Sequence, residues 1–177
     1  MKSLLLLAII LFVSITQENA VMPEQISWRT HFLADPDDHS PFFALTATQW
    51  HYSYNASVTG NNLHINFKFS GGVNPDESWV KLNRLKGSES KRKLLNHEQG
   101  HVNINFLLLK DGEQKVRFQQ YTVRNYKKAI QENANKVSAY YRDMQKRYDD
   151  ETKHGSDDVN QLRWDQLIEE KLRKYIK

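Results

Sequence analysis

The chain has 177 residues, 39% of them hydrophobic, and Lys plus Arg 25 against Asp plus Glu 21 leaves a formal net charge of +4; this suits a single domain that buries its own core. It has no cysteine, which excludes a disulfide scaffold, thiolate metal ligands, a cysteine nucleophile and a lipidated cysteine, so any metal must be held by His, Asp or Glu. The basic excess is mild and spread out, with no long run of like charge, and so does not suggest nucleic-acid binding.

Met1 to Ala20 reads as a secretory signal peptide, with Lys2 as its positive start and Leu4 to Ile15 as an apolar run interrupted only by Ser14. A membrane-spanning helix needs about 20 apolar residues, so this run is short for a lasting anchor. The expected product is a single domain over residues 21–177, exported to the periplasm or secreted, with no transmembrane segment left after the signal is removed. From Val21 to Asp38 the pattern is irregular, with Trp28 and Phe32 as anchors and Asp35-Pro36-Asp37-Asp38 as a turn. Phe43 to Tyr54 is rich in aromatic and β-branched residues and reads as a strand, whose alternation slips between Ala47 and Trp50 and predicts a bulge or change of face. Thr59-Gly60-Asn61-Asn62 is a turn, and Leu63, Ile65, Phe67 and Phe69 then alternate with polar residues as the second strand of an antiparallel hairpin.

Gly71-Gly72 and Pro75 are expected to break the sheet region, with Ser78-Trp79-Val80 as a further short extended piece. A first helix is predicted from about Ser90 to Lys110, capped by Ser88 or Ser90 and stopped by Asp111-Gly112, while Lys115 to Thr122 is ambiguous. A long amphipathic helix follows from about Tyr126 to Tyr148, with Tyr126, Ile130, Val137, Tyr141, Met144 and Tyr148 on one stripe. A last helix starts near Ser156 to Asp158 and carries Trp164, Ile168, Leu172 and Tyr175 on one face. The fold class is α+β: a small N-terminal antiparallel sheet followed by three helices.

The chemistry concentrates at His97-Glu98-Gln99-Gly100-His101, a complete H-E-x-x-H on the first of these helices. Histidines four residues apart project from one helix face and can share a zinc ion, with Glu98 placed as the general base. A catalytic zinc takes three protein ligands and keeps an open position, so one more donor is needed. His154, just before Gly155, is the expected third ligand. Glu151 is the rival, and a solvated histidine in a surface turn is the plain alternative. Asp149, Asp150 and Glu151 crowd a helix C-terminus, where the dipole disfavours negative charge; a nearby divalent cation would offset that cost, and one of them is placed to orient a ligand histidine. His31, His39, His51 and His64 read as surface or structurally satisfied residues. No G-x-S-x-G nucleophile turn and no glycine-rich phosphate loop is present.

Taken together, Ile26-Ser27-Trp28, Asp35-Pro36-Asp37, Ser78-Trp79-Val80-Lys81, Leu94 to His101 and Tyr148-Asp149-x-Glu151-Thr152-x-His154-Gly155 give the chain a resemblance to a family of bacterial predicted secreted zinc-dependent proteases, a domain of unknown function. The resemblance covers nearly all of the mature chain. Where a phenylalanine often follows the second histidine of the motif, this chain has Val102, which leaves the ligands intact. It implies zinc at His97 and His101, with Glu98 as base.

Two functions are expected from these residues. One is a zinc-dependent hydrolase acting on a peptide or protein, with an extended substrate pairing along a free strand edge between Phe43 and Tyr54. The other is a non-catalytic envelope module that keeps a zinc-stabilised fold for binding or structure. An intact Glu98 favours the first, and a fourth protein ligand closing the site would favour the second.

Overall fold

Alternation of period two along the first half of the chain and period near 3.6 along the second produce the two halves of the structure, a computed structural model that describes residues 22–175. The expected signal peptide lies outside the described residues. A short helical turn α1 (Trp28–His31) is followed by strands β1 (Ala44–Leu45), β2 (Thr48–Thr59), β3 (Asn62–Val73) and β4 (Trp79–Val80), and then by three long helices, α2 (Gly87–Arg117), α3 (Tyr126–Thr152) and α4 (Asp158–Leu172). The fold is α+β, with antiparallel strands first and the long helices after. No helix among the described residues is long and apolar enough to cross a membrane.

The strands form two separate ladders rather than one sheet, β1 with β4 and β2 with β3. The slip in alternation between Ala47 and Trp50 marks the division. There the Ala47 N–H donates to the Ser78 hydroxyl at 2.9 Å, and its carbonyl accepts from the Asn74 N–H at 2.8 Å. The chain thus changes partner between β1 and β2. The β2–β3 hairpin closes over Gly60-Asn61, and Gly60 takes the positive φ of 61° that the first central position of such a tight turn requires.

Three sequence expectations are corrected. Gly71-Gly72 does not end the sheet: β3 runs on to Val73, and a Cβ at Gly71 would come within 2.8 Å of the Gln49 carbonyl, so the glycine permits a close strand approach instead of a break. Helix α2 starts at Gly87, with no side-chain cap, and the Ser90 hydroxyl turns back to the Lys86 carbonyl within the first turn. It also runs straight through Asp111-Gly112 to Arg117. Asp111 is held from outside the helix by the hydroxyls of Tyr141 and Tyr175, Gly112 lies against the Trp50 ring, and Val116 is fully buried. Tertiary burial thereby outweighs the local stop signal.

The predicted stripe on α3 is the core. Val137, Tyr141, Met144 and Tyr148 pack with Ile104 and Leu107 of α2 and with Trp164, Ile168 and Leu172 of α4. Phe67 of the hairpin meets Val116, Ile130 and Ala134 in a second cluster. Ala44 of β1 joins Val102 of α2 with Ile26 and Phe32 in a third, which fixes β1 alongside the H-E-x-x-H segment. Asp157 caps α4 by accepting from the Asn160 N–H at 3.1 Å, as its position before the helix suggests.

Gly112 gives a test of this packing. Alanine would gain about 1 kcal/mol of helix propensity, but its Cβ would stand 2.9 Å from the Trp50 ring, whose indole N–H is tied to Ser138 at 3.1 Å. Overpacking of this kind costs about 1–3 kcal/mol. Gly112→Ala should therefore lower the urea unfolding midpoint, and a raised midpoint would show that the ring yields freely.

Candidate metal centre

The H-E-x-x-H segment lies in the middle of α2, which packs Ile104 and Leu107 against α3 and α4 and Val102 against β1. Gly100 within the motif is what allows α3 so close, since a Cβ there would overlap the Tyr148 hydroxyl. Tyr148 is fully buried. Its ring stacks on His97 at 4.7 Å and meets His101 edge-on at 5.1 Å, while its hydroxyl donates to the His97 carbonyl at 3.0 Å. Burial pushes the phenol well above its ordinary value, so it remains a donor.

Each imidazole is oriented through Nδ1. His101 Nδ1 donates to Gln145 Oε1 at 2.6 Å, and the same amide donates back to the His101 carbonyl at 3.0 Å, which fixes which end is oxygen. His97 Nδ1 faces Gln161 Oε1 at 3.2 Å and Thr152 Oγ1 at 3.4 Å. The Thr152 hydroxyl already gives its proton to the Tyr148 carbonyl. Gln161 Nε2 donates to the Tyr148 hydroxyl and to Asp165. Both neighbours of His97 Nδ1 are therefore acceptors, and Nδ1 carries the hydrogen. In the neutral rings the two Nε2 atoms are left with lone pairs.

These lone pairs converge. The two Nε2 atoms are 3.2 Å apart, and Asp149 Oδ1 lies 3.2 Å from that of His97 and 3.0 Å from that of His101. Donors bound tetrahedrally to one zinc at about 2.0–2.2 Å would stand roughly 3.3 Å from one another. His97, His101 and Asp149 thus form a group whose spacing can hold a metal ion. Glu98 is buried beside it, its Oε2 accepting from the Thr46 hydroxyl at 2.6 Å. Among the described residues no lysine or arginine pairs with either carboxyl group.

The electrostatics express the same demand for a positive charge. Burial opposes a charged His101, but the hydrogen bond to Asp149 and the charges of Glu98 and Asp149 outweigh it and raise the ring's pKa to about 9. Burial would also lift Asp149, yet hydrogen bonds from His101 and His97 hold it far below the usual carboxylate range. A proton or a cation must sit at this centre.

His97, Glu98 and His101 come together as the motif predicts. A carboxylate, Asp149, joins them, because α3 continues to Thr152 and carries Asp149 one turn past Gln145 on the face turned to α2. His154 stands next to that carboxylate, with Nδ1 3.5 Å from the same Oδ1 and 44% of its side chain exposed, and its ring packs on Phe42 at 4.2 Å. Lys153 and His154 both adopt left-handed backbone, with φ of 50° and 52°, a cost that residues with a Cβ seldom bear without support around them. Gly155 follows at φ 78°, and a Cβ there would come within 2.7 Å of the His97 Cβ. Glu151 turns away, accepting from the Trp164 indole at 2.8 Å. His31 also departs from its surface reading: it is largely covered and caps α1 through a 3.1 Å bond from the Ser27 N–H. Gln145 and Gln161 were the missed residues, and Asp149 was singled out only as a carboxylate that orients a histidine. Their signal was a polar side chain at or beside a position of the buried stripe.

The cluster forms part of the wall of a cleft of about 660 Å³ that also includes Phe42, Leu45, Thr46 and Leu94. Strand β1 runs along this cleft. Among the described residues it pairs with β4 alone.

In protein kept free of divalent metal, the raised pKa of His101 makes stability pH-dependent. The proton's contribution is complete below about 6.5, the value of an unfolded histidine, and is lost as the pH rises through about 9. The melting temperature of chelator-treated protein should fall between those two values. A flat profile would contradict the placement of His101 beside Asp149.

A comparison with curated proteins and one with solved structures each found no match. Among protein families, "Bacterial protein of unknown function (DUF922)" matches residues 24–155, a span holding β1 to β4, α2, α3 and every member of the His97–His101–Asp149 group. The chain belongs to that family.

Proposed function

We propose that this protein is an exported zinc-dependent hydrolase that acts as a peptidase. His97, His101 and Asp149 are the protein donors and Glu98 is the general base. The observation that carries this reading is the convergence of two imidazole lone pairs and a carboxylate oxygen within 3.0–3.2 Å, beside a second buried carboxyl group and with no lysine or arginine among the described residues to balance them. Two carboxylates against two neutral imidazoles suit a divalent cation, and buried charges of one sign need such compensation.

Bound there, a zinc ion would polarise a carbonyl and make a water more acidic. Glu98 takes a proton from the attacking water as its oxygen adds to the carbonyl carbon, then delivers it to the amine as the C–N bond breaks. Thr46 holds the Glu98 carboxyl in place at 2.6 Å. The side of β1 away from β4, unpaired among the described residues, offers an extended peptide main-chain groups along the same cleft. Exposed Phe42, Phe43 and Leu45 give it apolar contact.

Two histidines and one carboxylate also form the donor set of ferrous oxygenases. Glu98, buried at the cluster, favours hydrolysis, since oxygen activation has no need of a general base there.

Glu98→Gln keeps the shape of the site and cannot accept a proton. It should retain metal and lower hydrolysis of an unfolded protein substrate by about 10²–10⁴-fold. Wild-type turnover with an equally active variant would remove Glu98 from the role of base. Metal-loaded wild type that cleaves nothing would return the site to a binding or structural role.

A further inference from the structure

Helix α4 lies beyond the residues that match the family, which end at 155, yet it reaches the candidate metal centre. Most of its buried residues are apolar, Trp164, Ile168 and Leu172, and sit in the helical core. Gln161 is the polar member of that stripe and is itself buried. A buried amide is costly unless its hydrogen bonds are met, and all of Gln161's serve one end. Its Nε2 donates to Asp165 Oδ1 and to the Tyr148 hydroxyl, both at 2.7 Å. Those two acceptors fix the amide so that Oε1 faces His97 Nδ1 at 3.2 Å. Asp165 is in turn held by the Asn96 amide at 2.8 Å, next to His97 in sequence. Lys93 to Asp158 and Trp164 to Glu151 pin the same helix to α2 and α3.

We infer that Gln161 of α4 is a positioning residue for the metal: it keeps the hydrogen of His97 on Nδ1 and the lone pair of Nε2 on the site, so that metal affinity depends on a helix outside the family span. This rests on the metal reading above. A ligand imidazole ordinarily donates its second N–H to such an acceptor, and loss of the acceptor weakens metal binding by about 10–100-fold. Thr152 Oγ1, at 3.4 Å the more distant acceptor, leaves part of the effect in place. Coupling between two events is reciprocal, so zinc must also tighten α4 against the body of the protein.

The test is zinc affinity by competition with a chromophoric chelator, together with amide exchange of residues 158–172 with and without zinc. Methionine at 161 has similar length and no acceptor. Q161M should bind zinc about 10–100-fold more weakly, and zinc should no longer slow exchange in α4, while the metal-free melting temperature stays near wild type. If Q161M does not fold, Q161N, which draws the amide oxygen back by one methylene, reads the same quantities. Wild-type affinity in the folded variant, Q161M or Q161N, would reduce Gln161 to packing and overturn the inference. Wild-type protein that binds no zinc would overturn the metal reading, and this inference with it, before any variant is compared.

Discussion

Three acceptor atoms held about 3 Å apart define this molecule. His97 Nε2, His101 Nε2 and Asp149 Oδ1 approach one another as closely as hydrogen-bonded atoms, although the locked Nδ1 positions leave the neutral rings no hydrogen to share. Such a contact is repulsive without a proton or a cation. The rest of the structure holds it in place: Gly100 admits Tyr148, Tyr148 stacks on His97, and Gln145 and Gln161 set the two rings. Helix α3 supplies Asp149 from the turn that follows Gln145.

This arrangement also accounts for the segment after α3. Lys153, His154 and Gly155 all have positive φ, and the reversal lets Gly155 lie on the His97 side chain with no Cβ between them. The chain then enters α4 at the Asp157 cap. The tight turn thus joins the helix that provides Asp149 to the helix that provides Gln161. Glu98 faces the opposite way, to Thr46 in the break between β1 and β2, so the segment around β1 and the helices α2 and α3 share the wall of the cleft.

Much of this was legible in the residues. The alternation from Leu63 to Phe69 and the stripe from Ile130 to Tyr148 gave β3 and α3, because periodic burial is the strongest local signal. The slip near Ala47 foretold the division of the strand, though not the change of partner, which depends on Ser78 thirty-one residues away. The stop at Asp111-Gly112 misled, since local end signals are weak against burial of Val116 and hydrogen bonds from two tyrosines. His97, Glu98 and His101 are recognisable because four-residue spacing on a helix puts them on one face. Asp149, which meets them, was not recognisable in the same way. It comes from another helix, and extending α3 by four residues beyond Tyr148 turned Asp149 inward and left His154 at the rim.

The most direct test is the metal stoichiometry of three purified proteins: wild type, Asp149→Ala and His154→Ala. One zinc per chain is predicted for wild type and for the histidine variant, and loss of bound zinc for the aspartate variant. Full zinc in Asp149→Ala with none in His154→Ala would contradict the account, as would wild-type protein that binds no divalent metal.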